Sequence, residues 1–184
     1  FLPDSASEDT DALFFDADSD GDKDLYVCSG GNEVPTSSSL LADRLYINTG
    51  KGDFVRSQQI LPTFNFESTS CVKAGDYDQD GDMDLFVGVR LVPFNYGVPC
   101  NGYILNNQNG IFKPILVPEL NKIGMITDAV WTDIDGDKDV DLVVVGEWMP
   151  VTILINDHGN FQNATSTYAL SGSKGLWQSI GASD

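Results

Sequence analysis

Aspartate alternates with other residues through three ten-residue windows of this 184-residue chain: DADSDGDKDL from Asp16, DYDQDGDMDL from Asp76 and DIDGDKDVDL from Asp133. The windows hold 15 of the 28 acidic residues: Asp16, Asp18, Asp20, Asp22 and Asp24, then Asp76, Asp78, Asp80, Asp82 and Asp84, then Asp133, Asp135, Asp137, Asp139 and Asp141. Carboxylates this close repel one another unless a cation lies between them. Donor sets made only of oxygen, without His or Cys, select a hard ion, and six to eight ligands on a flexible loop favour Ca²⁺ over Mg²⁺. In each window, positions 1, 3 and 5 can surround one centre, position 7 can offer its carbonyl, and position 9 can close the cage. An EF-hand needs a bidentate Glu at position 12 between helices; here position 12 is Val27, Val87 or Val144, and the flanks read as strands. The expected cofactor is therefore Ca²⁺ at two to three hairpin turns. Gly21 and Gly81 at position 6 suit a left-handed turn, but the third window has Lys138 there and its glycine at Gly136. A non-glycine residue in that conformation costs about 1–2 kcal/mol, so the third site is expected to be distorted or weaker.

The elements that must position these turns follow from the repeat. The windows start 60 and 57 residues apart, and each runs into an apolar, β-branched or aromatic stretch: LYVCSGG, LFVGVR or LVVVGEW. Further strand-like stretches follow at Arg44–Asn48, Tyr103–Asn106 and Val151–Ile155, and then at GDFVR, GIFKP and GNFQN, separated by Gly, Asn, Asp and Pro turn signals. Four short strands per repeat and no helical pattern indicate an all-β fold, a β-propeller with blades of four antiparallel strands. The expected blades span about 10–58, 69–116 and 126–164, and GLWQSIGASD, from about 175 to 184, reads as the first strand of a fourth, with Asp184 as its first loop aspartate. Three blades and a strand cannot close a ring, which points to a partial propeller from a longer chain. Leu2–Thr10 reads as an exposed lead-in.

The D-x-D-x-D-G-x-x-D-L turns resemble those of FG-GAP/VCBS repeats, the units of integrin-type β-propellers; the third matches at its acidic positions only. The stretches DLYVCSGGNE, DRLYINTGKGDF, DLFVGVR and DAVWTDIDGDKDVDLVVVGEWMP are similar to large exported bacterial VCBS-repeat proteins, which often carry an ASPIC/UnbV-type domain. That resemblance implies a propeller and an extracytoplasmic location, secreted or on the cell surface, with lipoprotein anchoring at a bacterial outer membrane. Ca²⁺ sites of this kind bind at about 10⁻⁴–10⁻³ M, as in extracellular modules, which agrees with that location.

The remaining sequence narrows function by exclusion. A net charge of −18 with no basic patch argues against nucleic acid, and no apolar run reaches the length of a membrane helix. His158, the single histidine, lies in an NDHGN turn and is expected at the solvated surface; no nucleophile setting, P-loop or acid–base carboxylate pair is recognisable outside the metal turns. Cys28, Cys71 and Cys100 fit three buried thiols better than one disulfide and a free thiol. Asn163-Ala164-Thr165 reads as a chance sequon.

Strand direction alternates, so the second-to-third connections, taken as Ser29–Ala42, Val89–Asn101 and Glu147–Pro150, lie on the face away from the aspartate turns. They carry Asn32 and Glu33, then Arg90, Phe94, Asn95 and Tyr96, then Glu147, Trp148 and Met149. Aromatic residues beside Asn, Arg and Glu could contact a protein or glycan, or Tyr96 and Trp148 could pack between blades. The expected function is non-enzymatic binding or scaffolding. The alternatives are the propeller domain of a polysaccharide-active enzyme, by analogy of fold only, or an accessory subunit of an outer-membrane uptake complex.

Overall fold

The computed structural model describes residues 4–62 and 66–183. It contains three four-stranded antiparallel meanders: β1 (Glu8–Phe15), β2 (Asp24–Gly30), β3 (Arg44–Asn48) and β4 (Phe54–Arg56); β5 (Ser68–Gly75), β6 (Asp84–Leu91), β7 (Gly102–Gln108) and β8 (Ile111–Ile115); β9 (Met125–Thr132), β10 (Asp141–Met149), β11 (Thr152–Asp157) and β12 (Asn160–Asn163). A two-residue strand, β13 (Gly175–Leu176), adds to β10. The helical content among the described residues is short 3₁₀ turns such as Ser39–Leu41 and Pro118–Leu120. The first strands face one another, β1 against β5 and β5 against β9, as inner strands of successive propeller blades do.

The apolar runs are continuous because the middle blade is buried on both faces. Along β6, Leu85 and Val87 enter the core shared with blade 1, among Phe15, Tyr26, Leu45 and Phe112. Phe86, between them in sequence, points the other way, into the core shared with blade 3, among Ile104, Ile126, Leu142 and Phe161. The two-residue side-chain period of a strand thus fills both interfaces from one run. Close approach sets one position: a Cβ at Gly88 would fall 2.5 Å from the Ile126 side chain, so only glycine lets β6 and β9 pack at that distance.

The chain beyond blade 3 takes the place of a fourth blade's first strand, and hydrogen bonds show the equivalence. Between blades 1 and 2, Thr10 Oγ1 donates to the Thr69 carbonyl (2.9 Å) and Asp11 Oδ2 accepts from the Val72 amide (3.0 Å). Beyond blade 3, Thr127 Oγ1 donates to the Trp177 carbonyl (2.8 Å) and Asp128 Oδ2 accepts from the Ile180 amide (2.9 Å). Val72 precedes Asp76 by four residues, as Ile180 precedes Asp184; Asp184 itself lies outside the described residues.

Several boundaries differ from the sequence reading: Ser29 and Gly30 end β2, and Val89, Arg90 and Leu91 end β6, where connections were expected. Glu147 and Trp148 belong to β10, not to a connection: the strand continues to Met149 because Glu147 pairs with both Met125 and Leu176. The lead-in, of which Phe1–Pro3 lie outside the described residues, is tethered and not simply exposed, since Asp4 bonds Tyr46 (2.6 Å) and pairs with Arg56 on the outer strands of blade 1. Cys28, Cys71 and Cys100 are free and buried; burial pushes the Cys71 thiol up to about 12 and the Cys100 thiol to about 11, which leaves them protonated and inert.

Candidate metal centres

Each aspartate turn joins the first two strands of a blade, and all three lie at the same end of the sheets. Within each, the carboxylates of positions 1, 3 and 9 converge: Asp16, Asp18 and Asp24; Asp76, Asp78 and Asp84; Asp133, Asp135 and Asp141, each set offering oxygens within 4.8 Å of one another. Position 9 is held rigidly because it is buried and spans two strands. Asp24 accepts from the Ala17 amide (2.7 Å) and the Asn48 amide (2.8 Å). Asp84 accepts from Tyr77 (3.2 Å) and Asn107 (2.8 Å), and Asp141 from Ile134 (2.7 Å) and Asn156 (2.8 Å). Position 1 closes the turn from the other side. Asp16 accepts from the amides of Asp20 and Gly21, and Asp76 from those of Asp80 and Gly81.

Position 3 points to a cation. Asp18 Oδ1 and Asp78 Oδ1 are buried yet meet no hydrogen-bond donor, although a buried carboxylate oxygen without a partner is costly. Burial, together with the neighbouring carboxylates, raises Asp18 and Asp78 above the usual carboxylate range. Burial and the Asp78 charge push Asp84 up to about 7, and Asp141 is raised by burial first and by Asp135 and Asp137. Oxygen-only donors already converged, with orphaned lone pairs, fit a hard divalent ion.

The structure assigns positions 5 and 7 differently from the other three. At position 5, Asp20, Asp80 and Asp137 each bond a backbone amide two residues on (2.9 Å in each case) and lie outside the convergent sets. The position-7 side chains of the second and third turns are blade-to-blade connectors. Asp82 accepts from Ser19 Oγ of the preceding turn (2.9 Å) and from the Asn109 amide (3.2 Å); Asp139 accepts from Gln79 of the preceding turn and from the His158 amide (2.9 Å). In the first turn, Asp22 lies beside Gly50. Their side chains thus serve the hairpin and the neighbouring blade, leaving the backbone carbonyl as what position 7 has to offer a metal.

The third turn is not distorted. All three have left-handed backbone at positions 4 and 6: Ser19 (φ 60°) and Gly21 (93°), Gln79 (60°) and Gly81 (94°), Gly136 (86°) and Lys138 (82°). One non-glycine residue carries that strain in each turn, at position 4 in the first two and at position 6 in the third. Ser19 and Gln79 keep a side chain at position 4 that reaches the next blade; Gly136 has none.

Sequence reasoning missed the asparagines. Asn107 Nδ2 donates to the Ala17 carbonyl of blade 1 (2.8 Å) and the Met83 carbonyl (3.1 Å), while its Oδ1 accepts from Gly110 (2.8 Å). Asn156 does the same with the Tyr77 carbonyl of blade 2 (2.7 Å), Val140 (3.1 Å) and Gly159 (2.8 Å). Their signal was in the sequence as an Asn followed by Gly in every third-to-fourth strand turn: Asn48 and Gly50, Asn107 and Gly110, Asn156 and Gly159. His158 is exposed, and the adjacent Asp157 and Asp139 raise its pKa.

On the far face, the structure brings five of the six expected contact residues together. Glu147 joins Arg90 (2.6 Å) and Tyr96; Tyr96 stacks edge-on against Trp148, with ring centroids 5.4 Å apart; Asn32 Oδ1 accepts from the Phe94 amide. Burial opposes ionisation of Glu147, but the hydrogen bonds from Tyr96 and Arg90 outweigh it and hold the carboxyl below its usual range. Glu33 is exposed and lies outside this network among the described residues.

No helix among the described residues is long and apolar enough to cross a membrane. No curated protein matches the chain. Residues 7–87, covering blade 1 and the aspartate turn of blade 2, match the model of the FG-GAP-like repeat family. By that match the first part of the chain is similar to FG-GAP-like repeats, and blade 3 builds the same turn again beyond the matched residues.

Proposed function

We propose that the chain is a Ca²⁺-stabilised, extracytoplasmic propeller module that acts by contact with a protein or glycan and not by catalysis. The observation that carries the metal is the pair of orphaned buried oxygens, Asp18 Oδ1 and Asp78 Oδ1, each beside two further converging carboxylates. Asp16, Asp18 and Asp24, and their counterparts in the second and third turns, would hold the ions. When bound, the ion cancels carboxylate repulsion and ties β1 to β2, β5 to β6 and β9 to β10; three ions would take the formal charge from −18 to −12. Non-EF-hand oxygen sites of millimolar to sub-millimolar affinity fill outside a cell and empty in the cytosol, which supports the extracytoplasmic location. The aromatic and ion-paired face at the other end supports a contact role, at the surface of a cell or in a complex held there.

Thermal melting tests the metal. Each site filled at about 10–100 times its Kd adds about 1.4–2.7 kcal/mol, and a chain of this size gains about 2–4 °C per kcal/mol. With Kd values of about 10⁻⁴–10⁻³ M, Ca²⁺ at about 10 mM should therefore raise the melting temperature by roughly 10 °C or more over excess EDTA. Superposed curves would reject the reading.

A further inference from the structure

The face away from the aspartate turns carries one bulky strained residue from each of two blades. Trp148 has φ 57° and Phe94 has φ 64°, a conformation that bulky side chains rarely adopt and that accumulates at functional sites. At Trp148 the strain makes a bulge: the β10–β13 register shifts between Glu147 and Met149, which turns one side chain out of an otherwise buried strand end. The result is an aromatic shelf, with Phe94 64%, Tyr96 57% and Trp148 56% exposed. The shelf is rigid, because Trp148 and Tyr96 meet edge-on and Tyr96 is pinned through its hydroxyl to Glu147.

Beside the shelf lies a cleft of about 430 Å³ at the ends of the inner strands, with Thr10, Ser70, Asn32, Arg90 and Gln178 in its wall. Shelf and cleft are one unit. Asn32 bonds the Phe94 backbone, while Arg90 and Gln178 both bond Glu147, the residue that holds Tyr96. The wall is polar but nearly balanced in charge: Arg90 is paired with Glu147 and Asp9 with Arg44, leaving Glu8. Arg90 Nε is buried without a partner, so the guanidinium still has a donor to give.

A ligand for this surface needs a flat apolar face to lie on the rings and a rim of hydroxyls for the amides and the guanidinium. An anion is disfavoured, since it would approach a chain of net charge −18. We propose that this shelf and cleft bind a neutral oligosaccharide, one pyranose stacked on Trp148 or Phe94 and the next hydrogen-bonded in the cleft. The inference deepens the contact-face reading above and rests on it.

The test uses the full chain in millimolar Ca²⁺, with saturation-transfer NMR and calorimetry. The probes are neutral hexose and N-acetylhexosamine oligosaccharides and, in parallel, uronate oligosaccharides of the same length. Neutral sugars should bind, and Trp148→Ala should weaken them by roughly tenfold or more. Phe14→Ala, which removes an equally exposed ring (56%) beside the aspartate turn, should leave binding unchanged. Uronates binding as well as neutral sugars, or no sugar binding at all, overturns the proposal. A displayed-peptide library then separates the two readings: Trp148-dependent peptide binding keeps the contact face and discards only the ligand class, whereas its absence discards both. Because Ca²⁺-dependent melting does not involve this face, that part of the reading stands or falls separately.

Discussion

The two ends of the blades are built on opposite rules. At the aspartate end, the same bonds recur three times: position 9 holds two amides, and the following asparagine holds a glycine amide. At the other end the inner strands keep one recurring bond, a hydroxyl of Thr10, Ser70 or Thr127 to a carbonyl of the next inner segment. The connections between second and third strands, however, differ from blade to blade. Blade 1 carries a long connection with Asn32, blade 2 one with Phe94 and Tyr96, and blade 3 a tight bulged end with Trp148. A repeated device serves what every blade needs, which is a closed hairpin tied to its neighbour. Side chains that differ between repeats are free of that duty and available for recognition.

That contrast can be broken most severely at position 9. Asp84→Ala would strand two buried amides and remove a ligand, so urea unfolding in Ca²⁺ should show a loss of about 3–5 kcal/mol; a loss under 1 kcal/mol would mean that the turn is not a structural centre. Next comes the blade-to-blade asparagine. Asn107→Ala should cost about 2–3 kcal/mol in Ca²⁺ and EDTA alike, against about 1 kcal/mol or less for Asn48→Ala, since the Asn48 side chain bonds within its own blade among the described residues. Equal costs would show that Asn107 does not stitch the blades.

A third expectation concerns pH and a group buried at the end away from the aspartate turns. Asp43 is buried and accepts from Ser29 (2.7 Å), Thr69 (2.6 Å) and Tyr26 (2.9 Å), linking blades 1 and 2. Burial raises its pKa to about 7 against those bonds. The unfolded value is about 3.9, so the native state holds the extra proton between roughly pH 4 and 7, and this group's contribution to stability grows as pH falls through that window. Asp43→Asn should therefore be more stable than the parent at pH 8, with the gain vanishing by about pH 4. A difference independent of pH would exclude titration of Asp43.

The smallest effects sharpen the comparison. Lys138→Gly removes the left-handed side chain of the third turn without losing a side-chain bridge, and should stabilise by about 0.5–1 kcal/mol. Gln79→Gly also relieves strain but loses the bond to Asp139, so it should be neutral or destabilising. Trp148→Ala should change the melting temperature by less than about 2 °C, as expected of a residue that recognises and does not support.

The alternating aspartates, the glycine punctuation and the apolar runs at LYV, LFV and LVVV determined by themselves that the chain forms antiparallel blades and that each first turn collects carboxylates. Those are local facts: strand period, turn conformation and charge density are set by neighbours in sequence. Only the tertiary structure decided which carboxylates converge, because positions 1, 3, 5, 7 and 9 look alike in sequence and differ in which amide, strand or blade each one meets. It alone turned Asp82 and Asp139 toward the preceding turns and set Arg90 and Tyr96 of one blade beside Glu147 and Trp148 of the next, with Arg90 57 and Tyr96 51 residues from Glu147. Contacts of that separation depend on how whole sheets pack, and no window of local sequence contains that information.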